Sequence, residues 1–377
     1  MKRSAILALG VASLLWAAAG SAGADEVVIA AQYPLSGPMA SYSGPFLREG
    51  TEIAIQRINE TQMLGKGRTL KVIIEDNAGD RNQAISLMNR FATSDNALAV
   101  LGVYGSYLSL PAAPVANELK IPFLAIAASP AIVQAGPWSF ILIEQPNDSM
   151  KLLAQYAAER LHVKTAALVF DRANDASVRL KDSFAKYLKE RGGSVVSEDG
   201  ISAQDTNFAP IATKIASEKI DALFLESVPS VAGNFLVQVR QAGLSPDVKL
   251  LASGQVSSPV FRSIAGAAAE GILYPADYVA DMSGEENKYF ADEYRKRSHK
   301  DPDQNAAWAY TGMLLLAHAI HDAGPGADRA KVRDAMAKLT NVEVPLGAGK
   351  FSYDKDRMPN FDLIMLQVVK GVPQIVK

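Results

Sequence analysis

The chain contains no cysteine in 377 residues. That excludes disulfides, thiolate metal sites and cysteine nucleophiles together. Histidine is almost as scarce. There are four, and only His318 and His321 stand close, three apart in a helical pattern. With no HExxH run beside them, packing or surface placement accounts for the pair, and no metal is expected. Net charge is small, −2 with histidine neutral, and no basic block occurs, which argues against a nucleic-acid partner. No GxGxxG follows a strand and no GxSxG is present, so dinucleotide and serine-hydrolase chemistry lack their usual loops, and no cofactor is expected. Beyond the first two dozen residues no apolar run is long enough to span a bilayer.

What the chain does have is an ordinary globular composition, 49% hydrophobic and 21% charged, over a length that suits two cores rather than one. Its first residues read as an export leader. Lys2 and Arg3 precede the apolar stretch AILALGVASLLWAAAG, and small residues at Ala22–Ala24 offer a cleavage site before Asp25. A membrane anchor is the competing reading, but Gly10 and Ser13 interrupt a stretch already short for a span. Removal of residues 1–24 takes the net charge to −4. With no lipobox cysteine, the mature protein is expected free in the periplasm, as a monomer held together by core burial.

From Asp25 onward, apolar runs of four to eight residues alternate with segments of helical period. EVVIAAQYP, LKVIIEDN, ALAVLGV and IPFLAIAAS make one set of strands; TAALVFD, GSVVSEDGIS, DALFLES and VKLLASG make a second. Runs this continuous suit strands covered on both faces, hence parallel sheets with flanking helices. Two sets predict an α/β protein of two doubly wound domains. The tail, GKFSYDKDRMPNFDLIMLQVVKGVPQIVK, reads as two strands joined by a charged turn and then a Gly-Val-Pro turn. A strand tail after helices predicts that the chain recrosses between domains, near Glu144–Asp148, Pro275–Asp277 and Pro345–Lys350. The expected division is therefore 25–144 plus 278–344 for the first lobe, and 145–277 plus 345–377 for the second.

In open α/β sheets ligands sit beyond the carboxyl ends of the strands. Three first-lobe loops fall there: YPLSGPMASYSGP with Tyr42, GVYGSYLSL with Ser106 and Tyr107, and AIAASP with Ala127 and Ser129. A hydroxyl among small residues at a helix N-terminus makes a carboxylate seat without a formal cation, because unpaired N–H groups and the helix dipole converge there. The same residues also serve ordinary helix capping. Trp138, Trp308, Tyr274 and Tyr278 either line the cleft or fill core.

The stretches PLSGPMASYSGPFLREGTEIAIQRIN, GVYGSYLSLPAAPVANELKIPFLAIAAS, QVRQAGL, IAGAAAEGIL and AAWAYTGMLLLAHAI resemble the leucine/isoleucine/valine-binding family, type I periplasmic binding proteins that serve ATP-driven importers. The resemblance runs from about Val27 to the C-terminus. It implies two Rossmann-like lobes joined by three hinge crossovers, a solute closed between them, and membrane permease subunits as partners. It also implies that Tyr42, Ser106, Ala127 and Ser129 grip the solute's carboxylate. The second lobe departs from the family. Asp175 stands where a tyrosine is common, and Gly254 or Gln255 stands nearest the usual ammonium-binding acid. Asp175 or Glu226 then takes a solute ammonium, or the solute is an aromatic or aliphatic acid without one. A periplasmic ligand sensor is the alternative to a transport component.

Overall fold

The computed structural model describes residues 25–376 apart from 38 and 42, so the expected leader and Tyr42 lie outside the described residues. Strands β1 (Asp25–Tyr33), β2 (Arg68–Asp76), β3 (Val100–Tyr104), β4 (Phe123–Ile126) and β5 (Ser139–Ile141) alternate with α1 (Gly44–Glu60), α2 (Arg81–Thr93), α3 (Ser106–Glu118) and α4 (Pro130–Gln134). These strands pair in parallel in the order β2-β1-β3-β4-β5. Helix α5 (Pro146–Glu159) opens a second α/β series of β6 (Thr165–Asp171), α6 (Asp175–Glu190), β7 (Ser194–Ile201), α7 (Ala209–Ser217), β8 (Ala222–Glu226), α8 (Pro229–Gln241), β9 (Lys249–Ala252), α9 (Pro259–Ala265) and β10 (Leu273–Ala276). Three helices follow, α10 (Glu285–Ser298), α11 (Gln304–Ala323) and α12 (Arg329–Met336), then the short strands β11 (Val342–Glu343), β12 (Lys350–Tyr353) and β13 (Pro359–Asn360). Strands β14 (Ile364–Val369) and β15 (Val372–Ile375) end the chain on the edge of the second sheet, whose order is β15-β14-β10-β9-β8-β6-β7.

Burial explains the continuous apolar runs. Every residue of β4 and β8 is buried, because helices cover both faces of each sheet. The first sheet separates one core built on α1, α10 and α11 from another built on α2 and α3. The second sheet likewise separates a core with α7, α8 and α9 from one with α5 and α6. Helix α11 is apolar nearly all round and lies directly on α1. A Cβ on Gly50 would stand 2.1 Å from the carbonyl oxygen of Ala306, so glycine sets the closeness of that crossing.

Two expectations about the tail change. Residues 345–361 do not join the second lobe: Leu346, Phe351 and Tyr353 are buried in the first core, and the Tyr353 hydroxyl donates to the Ile141 carbonyl at 3.1 Å. The return to the second sheet comes after Phe361, which packs on that same core, and before Ile364. The charged turn after Tyr353 closes a small β12–β13 pairing, whereas β14 pairs antiparallel with β10 and β15. The last turn is Lys370–Gly371, with Val372 and Pro373 already inside β15.

One consequence positions the site. Strand β5 passes the chain to the second lobe and β10 passes it back, each from its carboxyl end. The carboxyl edges of both sheets are therefore turned toward the same junction.

Candidate functional site

On the first lobe the strand order reverses direction between β1 and β3, the crevice position of a doubly wound sheet. Just beyond β3, Gly105 takes the N-cap position of α3 at φ 83°, and Ser106 is the first helical residue. The capping reading of Ser106 is thereby replaced, since the cap is a glycine with no side chain. The turn is pinned from below: the Gly105 N–H donates to the Ile126 carbonyl at 2.9 Å, and the Ser109 hydroxyl donates to the Val103 carbonyl at 2.9 Å. That leaves a half-buried hydroxyl beside the first-turn N–H groups of a 13-residue helix. On the neighbouring strand end, Ala127 is buried, and Ser129 is the N-cap of α4 without a side-chain capping bond. Ser106, Ala127 and Ser129 thus share one edge. Tyr107 is 60% exposed with the Arg81 guanidinium 3.5 Å from its ring centre, which turns it toward α2.

The β1–α1 loop is shaped by Asp76 at the end of β2. Its carboxylate accepts N–H groups of Leu35 at 2.9 Å, Ser36 at 3.1 Å and Ala78 at 2.7 Å. Burial opposes its ionisation, but these bonds and one from the Ser36 hydroxyl outweigh it and hold the carboxyl below its ordinary range.

On the second lobe the corresponding edge is acidic and mostly closed. Asp171, Glu226 and Ser253, at or just beyond the ends of β6, β8 and β9, are all buried. The Ser177 hydroxyl ties two of these ends together, accepting from the Asp171 N–H at 2.9 Å and donating to the Glu226 carbonyl at 3.1 Å. Burial pushes the Glu226 carboxyl up to about 8, opposed by a hydrogen bond with Ser253 and reinforced by the charge of Asp171. Its Oε2 and the neighbouring Ser227 hydroxyl have no protein partner. Asp175 is exposed in the first turn of α6, and the cap there is Asn174, which accepts the Ala176 N–H at 2.9 Å. Gln255 is exposed in a short 3-10 turn, its N–H donating to the Ser253 hydroxyl at 3.3 Å.

Where the lobes meet, sequence reasoning marked crossings but not functional side chains. Glu144 follows β5, Asp277 follows β10, and a hydrogen bond joins their carboxyls. The Trp308 indole N–H donates to Asp277 at 2.5 Å, and the Trp308 ring lies 6.4 Å from that of Tyr104, one residue before the α3 cap. Gln145 donates to the Ala128 carbonyl at 2.8 Å, so this crossing runs beside the Ser129 loop. Of the four aromatics singled out in the sequence, Trp308 reaches the junction. Tyr274 and Tyr278 are buried in the second and first cores, and Trp138 lies under the Arg333 guanidinium near the start of β5. The only signal for Glu144 and Asp277 was an acid directly after an apolar run, in ILIEQP and YPADY. A depression of about 310 Å³ lined by His162, Glu218 and Asp247 lies at the amino-terminal edge of the second sheet, away from all these groups.

Two parallel α/β lobes, linked through the carboxyl edges of their sheets and presenting polar groups at the junction, define a two-lobed solute-binding protein. The chain belongs to the periplasmic binding protein family, whose profile matches residues 26–372. It is 26% identical over 351 residues to the leucine-, isoleucine-, valine-, threonine- and alanine-binding protein of Pseudomonas aeruginosa, covering 92% of this chain and 91% of that one. Its fold matches the branched-chain amino acid transporter substrate-binding protein of Streptococcus pneumoniae in complex with isoleucine, with a TM-score of 0.78 at 24% identity over 94% of this chain and 100% of that one. It also matches an ABC-transporter solute-binding protein of Rhodopseudomonas palustris in complex with 3,4-dihydroxybenzoic acid, with a TM-score of 0.77 at 23% identity over 93% and 95%. The resemblance read from the sequence and the two-lobed α/β fold are both borne out.

Proposed function

We propose that the protein is the solute-capturing component of an ABC importer, and that its solute is a small carboxylate, a branched-chain or related amino acid. The observation that carries this reading is the shared edge of Ser106, Ala127 and Ser129, where two hydroxyls free of capping duty flank the N-terminus of α3. Unpaired N–H groups and hydroxyls there neutralise the carboxylate. Tyr42 belongs to the same set on the strength of the family resemblance. The second lobe selects the rest of the solute, and bending at the crossovers closes the two edges over it. No bond of the solute is made or broken, so the protein acts by binding alone. The closed form then docks on permease subunits. The leader at 1–24 supports export to the periplasm, where the mature protein acts as a monomer.

A specific observation favours a second reading. Asp175 is exposed, and Glu226 is enclosed and holds its proton at neutral pH. A solute ammonium must therefore displace that proton, whereas an aromatic or aliphatic acid without an ammonium meets a neutral hydrogen-bonding group. A sensor that passes the closed form to a receptor uses the same binding step. Ser106→Ala tests the shared part of these readings. Calorimetric titration with leucine, isoleucine, valine and 4-hydroxybenzoate should show the binding member weakened by roughly 1–3 kcal/mol, the cost of leaving a charged partner one hydrogen bond short. Equal affinity in the variant and the wild type would remove Ser106 from the site.

A further inference from the structure

The proposed solute contacts leave unused a carboxyl pair at the junction of the lobes, Asp277 fully buried and Glu144 half-buried. Glu144 belongs to the first crossing and Asp277 to the second. Asp277 has no exposed surface and gathers contacts from every side. Its backbone carbonyl accepts the Gly347 N–H at 2.7 Å, from the segment leading toward the third crossing. Its side chain accepts from Trp308 at 2.5 Å and also hydrogen-bonds Gln304, both on α11. Gln304 in turn hydrogen-bonds Ser257 of the second lobe at 3.3 Å. A hydrogen bond between two carboxyl groups requires one proton between them, because an ionised carboxylate only accepts. Glu144 holds that proton and donates to Asp277. Glu144 Oε2 and Asp277 Oδ1 are buried from solvent and meet no N–H or other hydroxyl donor, so a second negative charge on the pair finds neither water nor a donor there.

We propose that Glu144 and Asp277 form a one-proton clamp between the first two crossings, and that loss of the shared proton loosens the junction of the two lobes. The groups facing the pair are Asp148 on α5, whose charge adds to the repulsion, and the neutral Trp308 and Gln304 on α11. Burial is the largest influence on both carboxyls and raises both, so the clamp holds through the ordinary carboxyl range and releases only at higher pH. The inference rests on the two-lobed fold and not on which solute is bound.

Trp308 supplies a local reporter, since its indole N–H binds Asp277 directly. In the whole, solute-free protein labelled with nitrogen-15 at tryptophan, Trp308→Phe identifies the indole resonance. That resonance should move through one transition on raising the pH, and the X-ray scattering radius of gyration should rise over the same interval. Glu144→Gln, which keeps a hydrogen-bond donor toward Asp277, should abolish both changes, and Asp277→Asn should abolish the indole transition. Glu226→Gln should leave both in place. An indole transition that persists unchanged in Glu144→Gln, or a radius that does not follow it in the wild type, overturns the clamp. Should Asp277→Asn not fold, Glu144→Gln alone decides. Neither readout needs a solute, so failure of the proposed solute class leaves this test intact.

Discussion

Glu226→Gln should change how the stability of the ligand-free protein depends on pH, and the structure fixes the sign. Glu226 is 3% exposed at the end of β8, where burial raises its carboxyl from the ordinary 4.5 to about 8. Between those values the folded protein keeps a proton that the unfolded chain has released. The unfolded state binds fewer protons, so the free energy of unfolding falls as pH rises through this window. At about 1.4 kcal/mol per pH unit, Glu226 alone removes roughly 2–3 kcal/mol between pH 5 and pH 7. Glutamine keeps the shape and a hydrogen-bonding group toward Ser253 but carries no titration. Urea unfolding followed by circular dichroism at the two pH values gives the comparison, provided the denaturant slope is unchanged. Glu144, Asp277 and the other acids titrate in both proteins and cancel in the difference. The variant should therefore gain on the wild type by roughly 2–3 kcal/mol from pH 5 to pH 7. Parallel pH profiles would show that Glu226 is ionised in the fold, and the argument from its enclosure would fail.

Two further outcomes follow from the same geometry. If the solute carries an ammonium that pairs with Glu226, binding at pH 7 should release close to one proton, read as a dependence of the calorimetric heat on buffer ionisation enthalpy. A benzoate-type acid should release none, so the measurement separates the two readings of the solute. Gly50→Ala should destabilise the first lobe by roughly 1–3 kcal/mol in urea, because the added methyl meets the backbone of α11 rather than a movable side chain. An unchanged unfolding midpoint would mean that the α1–α11 crossing is looser than its geometry indicates.

Much of the fold was legible because a parallel sheet buried on both faces writes itself as uninterrupted apolar runs, and FLAI in β4 and ALFLE in β8 are such runs. The tail was harder for a physical reason. A charged turn such as DKDRM says that a strand ends, but not which strand pairs next. Phe351 and Tyr353 find a packed place beside Phe140 and Phe361, and that tertiary fit keeps 345–361 on the first lobe. Local pattern carries no trace of that choice.

The candidate site divides along the same line. Ser106 and Ser129 were readable because a strand, a small-residue turn and a helix start are all local, and their order in the chain implies an edge. Glu226 was marked by its place at the end of an apolar run, but its enclosure was not, and Glu144 and Asp277 were not marked as site residues at all, since an acid after an apolar run looks like a solvated terminus until neighbouring strands enclose it. Enclosure changes the chemistry of these groups rather than their identity. It turns Glu226 from a standing anion into a proton holder, and it turns two acids on separate crossings into one hydrogen-bonded pair. The carboxylate seat proposed for the first lobe and the enclosed, protonated Glu226 of the second together disfavour a simple salt bridge to an ammonium. Any cationic solute must exchange its charge for a proton already in place, and that exchange is what the proton-release measurement detects.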